Sequence, residues 1–364
     1  MTTKTRPQNA SNRLGLDYAE EASRFQSFPF KIVDVHSHLS GAKAVEIYQD
    51  AARRYGIGLT YSMTDPEHVD DVKRVLGDSV RFIVTPEFGA RDIRHAVSDG
   101  FIERIHQLRK HGARITKFWA APRGRDLGEK AGFADALRID APHYRAVMQV
   151  TEDLGMAAMV HIGDPDTWFS TKYANAERYG TKAEQYERFQ AVLDDFSMPF
   201  IAAHCGGWPE NLDFLDGLLN RHANLYLDTS ATKWIVRELS RHPTERVQQF
   251  FTRWQGRLLF GSDIVTTDSH LSNSGTDDEM SKKATGGEEA FDLYASRYWA
   301  LRTLFETDYK GESPIADPDL AMVDPTSFSP NDAPDLHGKQ LSKKLVQSLY
   351  HDAAFDLLEQ FYQS

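Results

Sequence analysis

Apolar residues gather into eight short runs along the chain: KIVDV from 31, IGLTYSM from 57, VRFIVT from 80, RITKFW from 114, MAAMVHI from 156, PFIAAHC from 199, NLYLDT from 224 and RLLFGSD from 257. Segments of helical character lie between them, including AVEIYQDAARRY, DIRHAVSDGFIERIHQLRKH, YRAVMQVTEDLG, AEQYERFQAVLDDF and ENLDFLDGLLNRH. Such alternation predicts a parallel sheet covered by helices, and eight strands in series favour a closed (β/α)8 TIM barrel over an open sheet. The pair Gly56 and Gly58 enters an apolar strand instead of opening a helix. It therefore lacks the context of a dinucleotide fingerprint.

Two stretches break the alternation. Residues 266–288, after the last strand, are rich in Ser, Asp, Thr, Gly and Lys and are expected to form a long loop on the catalytic end, read either as a lid or as a surface excursion. Residues 309–335, with several Pro and Asp, are expected to be irregular. The run SKKLVQSLYHDAAFDLLEQF then predicts a C-terminal helical extension packed on the barrel. The expected layout is an N-terminal segment over 1–30 and a single barrel, terminal helix included, over 31–364.

Composition narrows the function classes. Of 364 residues 41% are hydrophobic, enough for a large core, and the net charge of -11 argues against a general nucleic-acid binder. Cys205 is the one cysteine, which excludes an intrachain disulfide framework and a multi-cysteine metal cluster. The opening MTTKTRPQNASNR lacks the apolar core of a secretory signal, and no long uncharged run suggests a membrane span. A cytoplasmic protein without membrane partners is the expectation.

Candidate chemistry gathers at strand ends, where barrel enzymes place it. Asp34, His36 and His38 have one parity and share a face if β structure persists through DVHSH, and two imidazoles so placed can converge on one metal ion. Lys117, His161, His204 and Asp263 end or follow later strands. Trp119, Trp168 and Trp208 follow strands four, five and six, as walls of a substrate pocket or as packing; Arg123 and Arg125 are either a bidentate carboxylate clamp or solvated loop charges. Cys205 reads as a small packing residue, since a nucleophile needs an activating partner.

In this order DVHSH, VHIGD with His161, AHCGG with His204, DTSA at 228–231, FGSDI with Asp263 and the late YHDAAFDLL resemble the amidohydrolase superfamily. The likeness is to its amidohydrolase-related branch of metal-dependent hydrolases and decarboxylases, and it runs from about Lys31 through Leu358. It implies that His36, His38, His161 and Asp263 hold one divalent metal, zinc first, with manganese, iron or cobalt as alternatives. It implies for His204 either a general acid/base role or ligation of a second metal. Lys117 would bridge two metals if carbamylated, or as an ammonium bind a substrate carboxylate or pair with an acidic neighbour; one metal is the preferred expectation. Asp34 would either orient the histidines as a neighbouring acceptor or simply stabilise the strand end, and Asp228 and Ser230 would support the site, face the substrate or serve structure alone.

The function this implies is metal-dependent hydrolysis of an amide, lactone or related bond in a small carboxylated substrate, with His204 and Asp263 moving protons. Non-oxidative decarboxylation is the close alternative, and a metal-binding module without catalysis is the alternative of another class. The expected partner is a small-molecule substrate, with a homo-oligomer left open.

Overall fold

The computed structural model describes residues 7–272 and 283–359. All eight expected strands form: β1 (Ile32–His38), β2 (Ile57–Met63), β3 (Val80–Val84), β4 (Ile115–Trp119), β5 (Ala157–His161), β6 (Phe200–Ala202), β7 (Leu225–Asp228) and β8 (Leu258–Leu259). The eighth is shorter than its apolar run, because Asp263 adopts a left-handed backbone (φ +60°) and extended structure resumes only as β9 (Ile264–Val265). With helices between the strands, and parallel pairing of β1 with β2 and of β3 through β7 in succession, the fold is α/β.

The chain divides into two compact units, Met1–Arg81 with Ser230–Leu357, and Phe82–Thr229 with Leu358–Ser364. In the first, β1 lies between β2 and β9 and pairs in parallel with both. Its register against β2 shifts between Asp34 and Ser37, so strict alternation is broken inside DVHSH. The helix Ala42–Arg54 buries Ala44, Val45, Tyr48, Ala51 and Ala52, the stripe expected of an amphipathic helix. The helix Gly287–Glu306 lies outside the expected elements because it is buried on nearly every side and so carries no polar stripe. Tyr48 joins the two, its hydroxyl 2.8 Å from that of Tyr298.

The predicted irregular stretch 309–335 contains β10 (Lys310–Glu312), and β11 (Asp335–His337) pairs with it antiparallel just beyond. The terminal helix forms from Lys343, with widened turns over Ser348–Asp352 and Phe355–Glu359, and buries Leu345, Val346, Leu349, Tyr350 and Leu357. Of the expected loop 266–288, residues 273–282 lie outside the described residues; Asp268–Leu271 form one tight helical turn and Gly287 begins the buried helix.

In the second unit β3, β4, β5, β6 and β7 pair successively in parallel, and the unit boundary falls within β3. β5 and β6 are almost wholly buried, as the uninterrupted apolar runs require. The helix Lys182–Asp195 starts at a reciprocal cap between Thr181 and Glu184. Among the described residues no helix is long and apolar enough to cross a membrane.

Candidate metal centre

In the first unit β1 delivers two histidines to the carboxylate that follows β8. His38 Nε2 lies 3.2 Å and His36 Nε2 3.5 Å from Asp263 Oδ1. Two donors about 2.05 Å from an ion and at a tetrahedral angle to each other are separated by about 3.3 Å. These three groups therefore have the spacing of co-ligands, and their nitrogen and oxygen donor set fits a divalent ion of the zinc type.

The shell around them fixes ring orientation. Ser230 Oγ lies 3.0 Å from His36 Nδ1, the nitrogen opposite the one facing Asp263. Of the two roles open to Asp34 its contacts fit the stabilising of the strand end, since its carboxylate meets backbone and hydroxyl groups. It accepts from the His36 amide at 3.1 Å, the Ser262 amide at 3.1 Å, the Ser262 hydroxyl at 2.6 Å and the Tyr298 hydroxyl at 2.8 Å. Burial pushes its carboxyl up to about 6 despite those four bonds. Gly261 sits in this shell without a Cβ because one would come within 3.0 Å of His36 Cβ and 3.2 Å of Ser230 Cβ.

In the second unit His161 and His204 form a pair. His204 Nε2 lies 3.3 Å from His161 Nδ1, a distance that suits a hydrogen bond and equally two ligands of one ion. His161 Nε2 meets the buried Asp164 carboxylate at 3.0 Å, and Tyr173 donates its hydroxyl to the same carboxylate at 2.7 Å. A carboxylate behind an imidazole is the usual support of a metal-binding histidine. Burial alone would raise the Asp164 carboxyl; its bonds to His161 and Tyr173 and the charges of His161 and Lys182 bring it below the ordinary range. Asp164 stands inside VHIGD, where its spacing from His161 was the available sequence signal; nothing local pointed to Ser262, Tyr173 or Tyr298.

His204 and Cys205 both have left-handed backbones (φ +59° and +52°), and the His204 amide donates to Asp228 at 2.9 Å. The turn continues through Gly206 and Gly207; a Cβ on Gly207 would lie 2.9 Å from the Gly163 amide nitrogen. Asp263 and Ala231 share the left-handed conformation. Non-glycine residues held this way cluster at functional sites, and these four all fall in AHCGG, DTSA and FGSDI. Cys205 is buried and burial pushes its thiol up, which suits packing and not nucleophilic chemistry.

Lys117 is buried on β4 in register with Met159, and Trp119 with His161, so the four share a face of the sheet. Trp119 meets Phe88 edge-on at 5.5 Å. Trp168 packs on Tyr173 and carries the Lys172 ammonium 3.3 Å above its ring. Trp208 stacks on Tyr186 and lies 4.8 Å from the Lys182 ammonium. Arg125 is engaged by Glu129 at 2.8 Å and Asp135 at 3.9 Å, whereas Arg123 is exposed.

Among curated proteins no match was found. Similar solved structures include an Agrobacterium tumefaciens protein in its apo form, 11% identical, with a TM-score of 0.42 and coverage of 76% of this chain and 90% of that one. A zinc-bound amidohydrolase from Burkholderia multivorans is 10% identical, with a TM-score of 0.46 and coverage of 90% and 99%. A dihydropyrimidinase from Brevibacillus agri is 12% identical, with a TM-score of 0.38 and coverage of 84% and 80%. The family model described as amidohydrolase matches residues 17–358, and the chain belongs to the amidohydrolase family.

Proposed function

We propose that the chain is a metal-dependent hydrolase acting on an amide, lactone or related bond of a small carboxylated substrate. The observation that carries this reading is the convergence of His36 Nε2 and His38 Nε2 on Asp263 Oδ1 at 3.5 and 3.2 Å. One divalent ion, zinc first, is the proposed cofactor; His161 as a further ligand, and closure of the sheet into a (β/α)8 barrel, are carried by the family motifs.

Such an ion, when bound, would acidify water and polarise the scissile carbonyl. The chain's own residues would do the rest. Asp263 would take the proton of the attacking water on its carboxylate. His204 would deliver a proton to the leaving group, imidazole being the side chain best suited to both taking and giving one. Ser230 and Asp164 would hold the tautomers of His36 and His161.

Elemental analysis of purified protein, paired with a product screen on amides and lactones, tests the proposal. One equivalent of divalent metal per chain is expected, lost in His38→Ala, with hydrolysis dependent on it. A full complement of metal in His38→Ala would overturn the ligand set. Two equivalents would bring in Lys117 as a bridge, and carbon dioxide release without water addition would replace hydrolysis by decarboxylation.

A further inference from the structure

Asp263 combines a place in the candidate ligand set with a left-handed backbone, and the peptides on either side of it are held by one neighbour, Ser262. The Ser262 amide donates to Asp34 Oδ1 at 3.1 Å and its hydroxyl to Asp34 Oδ2 at 2.6 Å. The same hydroxyl accepts from the Ile264 amide at 3.2 Å. The Ser262 carbonyl accepts at 2.9 Å from the hydroxyl of Thr232, which opens the helix Thr232–Arg241. The Asp263 amide itself donates to the His36 carbonyl at 2.8 Å. All three residues of the turn are thus tied down, as a backbone conformation uncommon for residues with a Cβ requires if it is to persist.

Asp34 is where this turn meets β1. Its Oδ1 accepts from the His36 amide at 3.1 Å as well as from the Ser262 amide, so one oxygen bridges the backbones of both ligand-bearing segments. Its Oδ2 accepts from the hydroxyls of Ser262 and, at 2.8 Å, Tyr298. A carboxylate accepts and does not donate, which fixes the direction of every bond behind Tyr298. Tyr298 gives its one hydroxyl hydrogen to Asp34 and therefore accepts from Tyr48 at 2.8 Å; Tyr48 in turn accepts from Thr60 at 2.7 Å. Thr60 stands opposite Asp34 in the β1–β2 register, so the ladder leaves β2, crosses the helices Ala42–Arg54 and Gly287–Glu306, and returns to β1. Thr60, Tyr48, Tyr298, Asp34 and Ser262 are all buried, so bulk water does not replace a donor removed from the ladder.

We infer that Ser262 and Tyr298 are positioning residues for the metal ligands. Acting through Asp34, they hold the Asp263 turn against the backbone of His36, so that the Asp263 carboxylate stands at ligand spacing from both imidazoles before an ion is bound. This rests on the hydrolase reading and deepens it, adding to the ligand set the residues that preorganise it. Preorganisation tightens binding by reducing the ordering that binding itself must impose. A contact that serves the fold alone stabilises the metal-free and metal-loaded protein equally, whereas one that places a ligand contributes more to the loaded form.

Two measurements on wild type, Ser262→Ala and Tyr298→Phe test this without needing turnover: zinc affinity by chelator competition, and the rise in thermal unfolding midpoint when zinc is added. Zinc binding should weaken about tenfold or more in Ser262→Ala and about threefold or more in Tyr298→Phe, each with a smaller zinc-induced rise than wild type. Tyr298→Phe keeps the ring and its packing, so it carries the test if the serine variant does not fold. Zinc affinity within about twofold of wild type, with midpoints lowered equally in the presence and absence of zinc, would assign both residues to the fold alone and overturn the inference. That result beside a wild type that binds zinc leaves the hydrolase reading standing. A wild type that takes up no divalent metal overturns that reading, and the inference with it.

Discussion

Ser230 Oγ and His36 Nδ1 are 3.0 Å apart, and the other nitrogen of that ring faces Asp263. If the proposed metal binds here, the serine selects which imidazole nitrogen is presented to it. Ser230→Ala should lower divalent metal affinity about 10- to 100-fold, the usual cost of removing such a contact, with little change in global stability. Chelator competition measures it. A shift below about twofold would mean that β1 alone orients the ring.

Asp164 gives the matching test in the second unit. It receives hydrogen bonds from His161 and from Tyr173. Asp164→Asn should reduce metal-supported turnover about 10- to 100-fold by disturbing the histidine tautomer. Tyr173→Phe should have a smaller effect in the same direction, because the carboxylate keeps its contact with His161. If the phenylalanine variant proved the more damaging of the two, Tyr173 would have a role beyond holding Asp164.

These contacts mark where the sequence was legible and where it was not. Strands such as β5 and β6 are buried on both faces, so they read as continuous apolar runs. His36, His38 and Asp263 were legible because each stands at a strand end inside a short ordered motif. The orienting groups were not. Tyr298 lies 264 positions from Asp34 and sits in a helix that is buried on nearly every side, so neither spacing nor periodicity marks it. The register shift between Asp34 and Ser37 was equally hidden, and so was the choice between the two roles open to Asp34, which its bonds to the His36 and Ser262 amides decide for the strand end.

Ala231 separates Ser230 from the helix that carries Lys233, and its backbone is left-handed at φ +61°. An L-residue with a Cβ is disfavoured there by about 1–2 kcal/mol, partly offset in glycine by the entropy of the unfolded chain. Ala231→Gly should therefore raise stability by about 0.5–1 kcal/mol, and Ala231→Val should lower it by more than about 1 kcal/mol. Denaturant midpoints at unchanged slope decide the matter. A destabilised glycine variant would show that the alanine methyl contributes more by packing than it costs by strain.

Arg237 tests how the same helix is held from behind. It is buried and paired with Glu238 and Asp317, each at 2.5 Å, and both acids are themselves buried. Removing the guanidinium leaves the buried Asp317 without its cation and Glu238 with Arg241 alone, 3.0 Å away, so Arg237→Met should destabilise the fold by about 3–5 kcal/mol. The ion cluster as a whole need not be a net stabiliser, because taking all of its charges out of water opposes their mutual attraction. Replacing the three residues together, Arg237→Met with Glu238→Gln and Asp317→Asn, should accordingly recover much of the loss. Equilibrium unfolding of the single and triple variants separates the two terms. A single variant within about 1 kcal/mol of wild type would mean that water reaches the acids once the arginine is gone.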